Sequence, residues 1–438
     1  MRTTSLVFLT ALCASLAAAG DPDPATLDKK VLLGYQGWFT CPADGSGRWT
    51  HWARGVPAPE TLTVEMYPDL SEFEKDELCE VPGMTIAGQP AYLFSSRNAQ
   101  TVNRHFRWMK DYGLDGVLVQ RFVGEIRSKR AGGDLVLKNI MAAARQSGRT
   151  FAIEYDISGG NPATFAQTLK DDWVYLVDEL EITAHPNYQR HNGKPVVSIW
   201  GMGLNDNGHP PADAQEAKDL IAWFRWGAPE PRHQVTFMGG TPARWGTLTA
   251  DSRQDPAWAG AYAMMDILQP WNVGRYATID AVDKWKDSVL TPDLERTAAN
   301  AQLYMPVVFP GFSWQNLKRN GRPNQIPRLR GEFLWRQAYN AKIAGATALK
   351  IAMFDEVDEA TAIMKVVSHR HQAPEQGFWL TLDADGAGLP SDWYLRLAGE
   401  ITRMFHGERD PAVELPENPG PQPQPESIRH SPRAKQRQ

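Results

Sequence analysis

Eight short runs of apolar and β-branched residues, spaced along most of the chain, limit what this sequence can fold into. They occupy residues 31–35, 116–120, 150–154, 195–200, 234–238, 265–269, 303–308 and 348–353. Between most of them, apolar residues recur at helical spacing: 98–112 (with Val102, Phe106 and Met109 on one face), 137–146, 164–180, 214–226, 279–289 and 329–344. Near-continuous apolar strands alternating with helices belong to a parallel sheet covered on both faces. Eight of them predict an α/β fold, a single (β/α)8 TIM barrel. A span of 21–407 exceeds the ~250 residues typical of such a barrel, which predicts long βα loops. The competing doubly wound open sheet lacks a G-x-G-x-x-G turn after its first strands.

The two ends of the chain read differently from this body. Met1-Arg2 gives a positive start, residues 6–19 are apolar, and Ala17-Ala18-Ala19 offers small residues for cleavage. Residues 1–20 are therefore expected to be a signal peptide, with a secreted or periplasmic mature protein. The same residues also admit an N-terminal anchor, although the apolar run is short for a membrane span. Residues 408–438 are rich in Pro, Gln and charge and are expected to be a disordered tail. The folded domain should end near Phe405-His406.

Cys13 falls inside the signal, which leaves Cys41 and Cys79. In an oxidising compartment they can pair, or they can remain two separate thiols. Two are too few for a disulfide scaffold or a structural zinc site. The net charge is −5 and the basic residues are dispersed, which argues against nucleic acid as the partner. No G-x-S-x-G elbow, H-E-x-x-H helix or phosphate-binding Gly-Lys-Ser loop occurs, and neither a cofactor nor a metal is expected. Oligomeric state is not legible.

In a barrel of this kind the chemistry lies at the carboxyl ends of the strands. The first run leads into Tyr35-Gln36-Gly37-Trp38 and then His51-Trp52. The second ends in Gln120-Arg121, the third in Glu154-Tyr155-Asp156, and the fourth in Trp200. The sixth runs into Trp271 and the seventh into Trp314. Trp and Tyr offer flat apolar faces with a polar edge, which suits stacking on sugar rings. These ends predict a cleft for an oligo- or polysaccharide. Glu154 and Asp156 lie two apart on a strand and face the same way. They can bind substrate or form a structural ion pair with Arg121 or Arg275. His51 can bind a sugar hydroxyl or be a satisfied loop histidine.

The eighth run delivers Asp355, Glu356, Asp358 and Glu359. Neighbouring carboxylates resist joint ionisation, so crowding raises some of their pKa values. One carboxylic acid kept protonated beside an ionised partner is what glycoside hydrolysis requires. Glu356 and Glu359 have the spacing of one helical turn and can converge. Alternatively, acids here can cap a helix starting near Thr361, which fits Asp355 or Asp358 best. A Ca²⁺ site is a further reading, but the run lacks the Asp-x-Asp-x-Asp-Gly loop.

With these residues assembled, the chain resembles the glycoside hydrolase family 71/99-like group. Asp355-Glu356-Val357-Asp358-Glu359-Ala360-Thr361 looks like the family 99 segment Asn-Glu-Trp-His-Glu-Gly-Thr, and Gly34-Tyr35-Gln36-Gly37-Trp38 with His51-Trp52 is similar to its aromatic first loop. The resemblance implies a retaining endo-α-mannosidase-like enzyme. Glu356 would be the base toward the substrate 2-hydroxyl and Glu359 the general acid and base. Tyr35, Trp38, His51, Trp52, Gln120, Arg121, Glu154, Asp156, Trp200, Trp271, Trp314, Asp355 and Asp358 are the expected substrate contacts. Val357, Asp358 and Ala360 replace the family Trp, His and Gly. Two alternatives are an inverting α-1,3-glucanase-like enzyme, as in family 71, and a barrel that binds glycan without cleaving it.

Overall fold

A computed structural model describes residues 20–419 apart from Asn320. Residues 1–19 of the expected signal peptide, with Cys13, and the tail beyond 419 lie outside the described residues.

All eight runs become strands of one parallel ring: Val31–Tyr35, Gly116–Phe122, Thr150–Asp156, Lys194–Trp200, Thr236–Pro242, Ile267–Trp271, a split seventh strand, and Leu349–Ile351. Each pairs in parallel with its sequence neighbour, and the first pairs with both the second and the eighth. The seventh strand is broken where Pro306 removes a donor. Its first part, Leu303–Tyr304, pairs with the sixth strand, and its second, Val307–Val308, pairs with the eighth. Across the break, the Met305 N–H donates to Leu268 and the Lys350 N–H donates to the Pro306 carbonyl, both at 2.9 Å. The ring therefore closes into a (β/α)8-like barrel. Apolar residues of the strands and of the helices packed around them form one large buried cluster, with a smaller one beside it.

Where helices depart from expectation, the cause is local. The helical segment after the second strand begins at Val123, well before residue 137, and reaches Ser147 across a kink at Lys129 (φ −125°, ψ 15°). Its first half is masked by charge and by Gly132-Gly133 in mid-helix, each costing about 1 kcal/mol relative to alanine. The 279–289 pattern is α-helical over Ile279–Trp285, widens to a π turn over Lys286–Leu290, and continues as Thr291–Ala299. Pro292 cannot donate to the preceding turn, so the helix loosens just before it.

Elements with no expectation attached include the helices Ala257–Ala263 and Trp393–His406, and a hairpin, Leu78–Ile86 with Gln89–Phe94. The hairpin turns at Ala87-Gly88, both at positive φ (49° and 73°), the geometry of a tight two-residue turn. It lies in the segment between the first strand and the helix Ala99–Asp111. The described chain continues past the helix Trp393–His406, with the Trp335 indole donating to the Ala412 carbonyl at 3.0 Å and Leu415 packed against the core.

Cys41 and Cys79 are bonded, tying the start of this segment to the hairpin across 38 residues. A cross-link of that span removes chain entropy from the unfolded state worth about 2–4 kcal/mol. Cys41→Ser should lose stability on that scale in urea unfolding, with the loss matched by reduction of the wild type.

Candidate active site

The eighth strand is short, and its continuation is anchored by Asp355. Its carboxylate accepts the backbone N–H groups of Gln36 (2.7 Å) and Gly37 (2.8 Å), the residues that follow the first strand. Asp355 is fully buried, and burial pushes its pKa up to about 7 against the pull of those two donors. The next residues form turns, with Ala360 at φ 55°. The chain then doubles back: Ile363 donates to the Met353 carbonyl and Met364 to that of Phe354. No helix starts at Thr361. Its N–H returns to the Glu356 carbonyl (3.2 Å), so the expected capping role for the acids is replaced by this loop.

This loop brings Glu356 and Glu359 to one cleft and turns Asp355 and Asp358 away from it. Glu356 is 6% exposed and has a donor on each oxygen: Gln36 Nε2 at 2.6 Å and Thr361 Oγ1 at 2.7 Å. Burial raises its pKa, while those donors and the nearby Lys350 ammonium favour its charged form. Glu359 has fewer such aids. Burial and the Glu356 charge raise it to about 8, offset in part by Trp314 and Lys318. Asp358 is buried with Oδ1 unpartnered, and burial followed by its acidic neighbours holds it well above the carboxylate range. Among the described residues no three acids, histidines or cysteines are arranged to hold a metal.

Beneath the pair, the barrel interior is polar. Glu154 accepts from Gln120 Nε2 (2.7 Å) and pairs with Lys350, whose ammonium also donates to Gln269 Oε1 (3.1 Å) and lies 5.3 Å from the centre of the Trp271 ring. The expected ion pairing of Glu154 and Asp156 with Arg121 or Arg275 does not occur. Arg121 binds Asp172 and Asp134 outside the barrel, and Arg275 binds Asp251. Asp156, its pKa raised by burial, accepts the Ser158 N–H at 2.7 Å. Ser158 Oγ lies 3.0 Å from His209 Nε2, and His209 Nδ1 lies 2.7 Å from Asp206 Oδ1.

The cleft above this floor encloses about 680 Å³. Of the expected residues, Glu356, Glu359, Glu154, Asp156, Gln120, Trp38, Trp200, Trp271 and Trp314 line it. Trp200 and Trp271 meet edge to face at 5.5 Å.

The other expected contacts do not reach it. Tyr35 is buried with its hydroxyl 2.9 Å from His105 Nδ1. Trp52 is buried on Phe39 and donates to the Phe94 carbonyl. Strand alternation explains Arg121, because its neighbour Gln120 takes the inward side. His51 stacks on Trp38 (ring centres 3.8 Å apart, 7° between planes) and opens into a neighbouring pocket. Asp355 and Asp358 sit behind the cleft wall. Residues without a sequence expectation that do line it include Ser158, Asp206, His209, Phe312 and Gln36. His209 belongs to an irregular loop with no periodicity to place it. Gln36, however, directly follows the first strand and was readable as a strand-end residue.

No protein-family model and no curated protein matches this sequence. Solved structures do match. The GH99 endo-α-mannosidase of Bacteroides thetaiotaomicron superposes with a TM-score of 0.63 at 19% identity, covering 88% of this chain and 100% of that one. A second structure of that enzyme gives 0.63 at 18% identity with the same coverage. A glycoside hydrolase-like protein gives 0.52 at 16% identity, covering 80% and 98%. These likenesses establish the fold, and the structural neighbours agree with the group that the strand-end segments resemble.

Proposed function

We infer that this chain is a glycoside hydrolase acting on an α-linked glycan. The observation that carries this is the unequal treatment of two carboxyl groups on one aromatic-walled cleft. Glu356 has a donor on each oxygen and a cation nearby, whereas Glu359 keeps its proton up to about 8. Burial raises both, and the stronger support for charge at Glu356 assigns it the base and Glu359 the acid.

The mechanism follows from that assignment, with the family 99 resemblance supplying the covalent route. Glu356 removes the proton of the substrate 2-hydroxyl, and O2 bonds to C1 as the glycosidic C1–O bond breaks. Glu359 gives its proton to the departing oxygen. Water then attacks C1 while Glu359 takes its proton. The C1–O2 bond opens, and O2 recovers the proton held by Glu356. Two inversions give net retention. Trp200, Trp271 and Trp314 supply stacking faces for the sugars, and Glu154 and Asp156 supply hydroxyl acceptors.

Asp355, Val357, Asp358 and Ala360, the departures from the family segment, are all buried and outside the cleft lining. That favours an intact catalytic pair over a barrel that only binds glycan. The disulfide fits an oxidising compartment and hence a secreted or periplasmic enzyme. Among the described residues no helix is long and apolar enough to cross a membrane.

The test is digestion of a panel of α-mannans and α-glucans, with products read by mass and anomeric configuration. Retained-anomer oligosaccharides from an α-mannan are expected. Inverted products would move the assignment to an α-1,3-glucanase-like mechanism. Binding without product across the panel would make the barrel a lectin.

A further inference from the structure

Beside the cleft lies a second, smaller pocket of about 110 Å³, roughly the volume of four waters. Its size suits a substituent on a sugar. It shares Gln36, Trp38, Gln120 and Phe122 with the main cleft, so the two are adjoining compartments divided by the Trp38 ring. That ring is sandwiched between His51 and Phe122. His51 holds positive φ (63°), a conformation rare for a residue with a side chain, and burial keeps its imidazole neutral.

The pocket's charge is opposite to that of the chain. Five cationic side chains line it against a single lining carboxylate, Glu125, while the protein carries −5 overall; of the five, Arg121 and Arg130 pair with Asp172 behind the wall. Glu125 is taken by Lys129. Arg97 has only a distant partner, Asp44 at 4.0 Å, and keeps 22% of its side chain exposed. Arg121 spends Nε and Nη2 on Asp172 and Asp134, which leaves Nη1 on the side of Gly133. The glycines shape this directly. A Cβ at Gly132 would stand 2.2 Å from Arg97 Nη2, and one at Gly133 would stand 3.3 Å from Arg121 Nη1. Two helix-weakening residues thus occupy the positions over which two guanidinium groups reach into one small space.

On the reading of the main cleft as a glycan site, we propose that this pocket is a subsite for an anionic substituent of the substrate. A phosphoryl, sulfate or carboxylate group would be held between Arg97 and Arg121, with Lys129 and the exposed Arg48 at the rim. The Arg97 fork suits such anions because its N–H donors match two oxygens at once, and Arg121 Nη1 adds a further donor. The neutral His51 would face the sugar hydroxyls next to the charge.

The test is calorimetric titration of the full chain at low salt with mannose, mannose 6-phosphate and inorganic sulfate. Mannose 6-phosphate should bind ~10-fold or more tighter than either mannose or sulfate, and Arg97→Leu should abolish that gain. Gly132→Ala, which displaces Arg97 without removing its charge, should do the same while the thermal midpoint confirms folding. Neither sugar carries a glycosidic bond, so the result is independent of hydrolysis. The subsite is overturned if folded Arg97→Leu and Gly132→Ala bind mannose 6-phosphate as the wild type does. It is also overturned if mannose 6-phosphate binds no tighter than sulfate, which would mark an adventitious ion only.

Discussion

Glu359→Gln should lower turnover by ~10²–10⁴-fold, the contribution of a positioned general acid, while glycan binding stays intact. Glutamine keeps the shape and loses the proton. The accompanying signature is in the pH profile. The acid must be protonated to work, and its pKa is held near 8 by burial and by the charge of Glu356. Wild-type activity should therefore fall as pH rises through about 8, and the residual activity of the variant should lack that descending limb. Chemical rescue sharpens the test. A substrate whose leaving group needs no proton should recover the first step in the variant. A fully active Glu359→Gln enzyme would sink the assignment.

The second large effect is on stability. Lys350 and Glu154 form an ion pair with side chains 0% and 1% exposed. Removing one member of such a pair strands the other charge in the barrel interior, at a cost of about 3–5 kcal/mol. Lys350→Met should show that loss in urea unfolding. The double variant with Glu154→Gln should recover much of it, since no charge is then left unpaired. Activity adds a readout that packing alone would not move. The Lys350 ammonium favours the ionised form of Glu356. Without it the Glu356 pKa rises, and the ascending limb of the pH profile should shift to higher pH. Equal stability for Lys350→Met and the wild type would contradict the buried pair.

Much of the architecture was legible because it is written in periodicity. Parallel strands buried on both faces must be apolar along their length, and all eight runs became strands. What escaped was written in other ways. Lys350 sits inside an apolar run and looks like an interruption, yet it is the partner of Glu154. The hairpin turn at Ala87-Gly88 carries only one of the residues that mark such turns. Ser158, Asp206 and His209 converge from two loops, and no spacing rule brings loops together.

Two of the expectations that failed share a cause. Tyr35 and Arg121 were taken as cleft residues for their place at strand ends, but strand parity decides which side a residue faces. Gln36 and Gln120, their immediate neighbours, are the ones that point inward. Trp52 belongs to a loop that folds back on itself, where a large aromatic is more useful as filling than as a stacking platform. Glu356 and Glu359 were separable from Asp355 and Asp358 by spacing and resemblance, and the loop geometry that turns them to the cleft follows the same division.

The clamp of Asp355 on Gln36 and Gly37 has one more consequence. The backbone it grips belongs to the first strand's exit, and the carboxylate doing the gripping belongs to the last strand's, adjacent to Glu356. The seam where the ring meets itself and the platform for the reaction are thus a single piece of structure. Opening that seam disturbs the chemical centre, so on heating the loss of activity should track the loss of barrel structure, as parallel melts followed by activity and by circular dichroism would check.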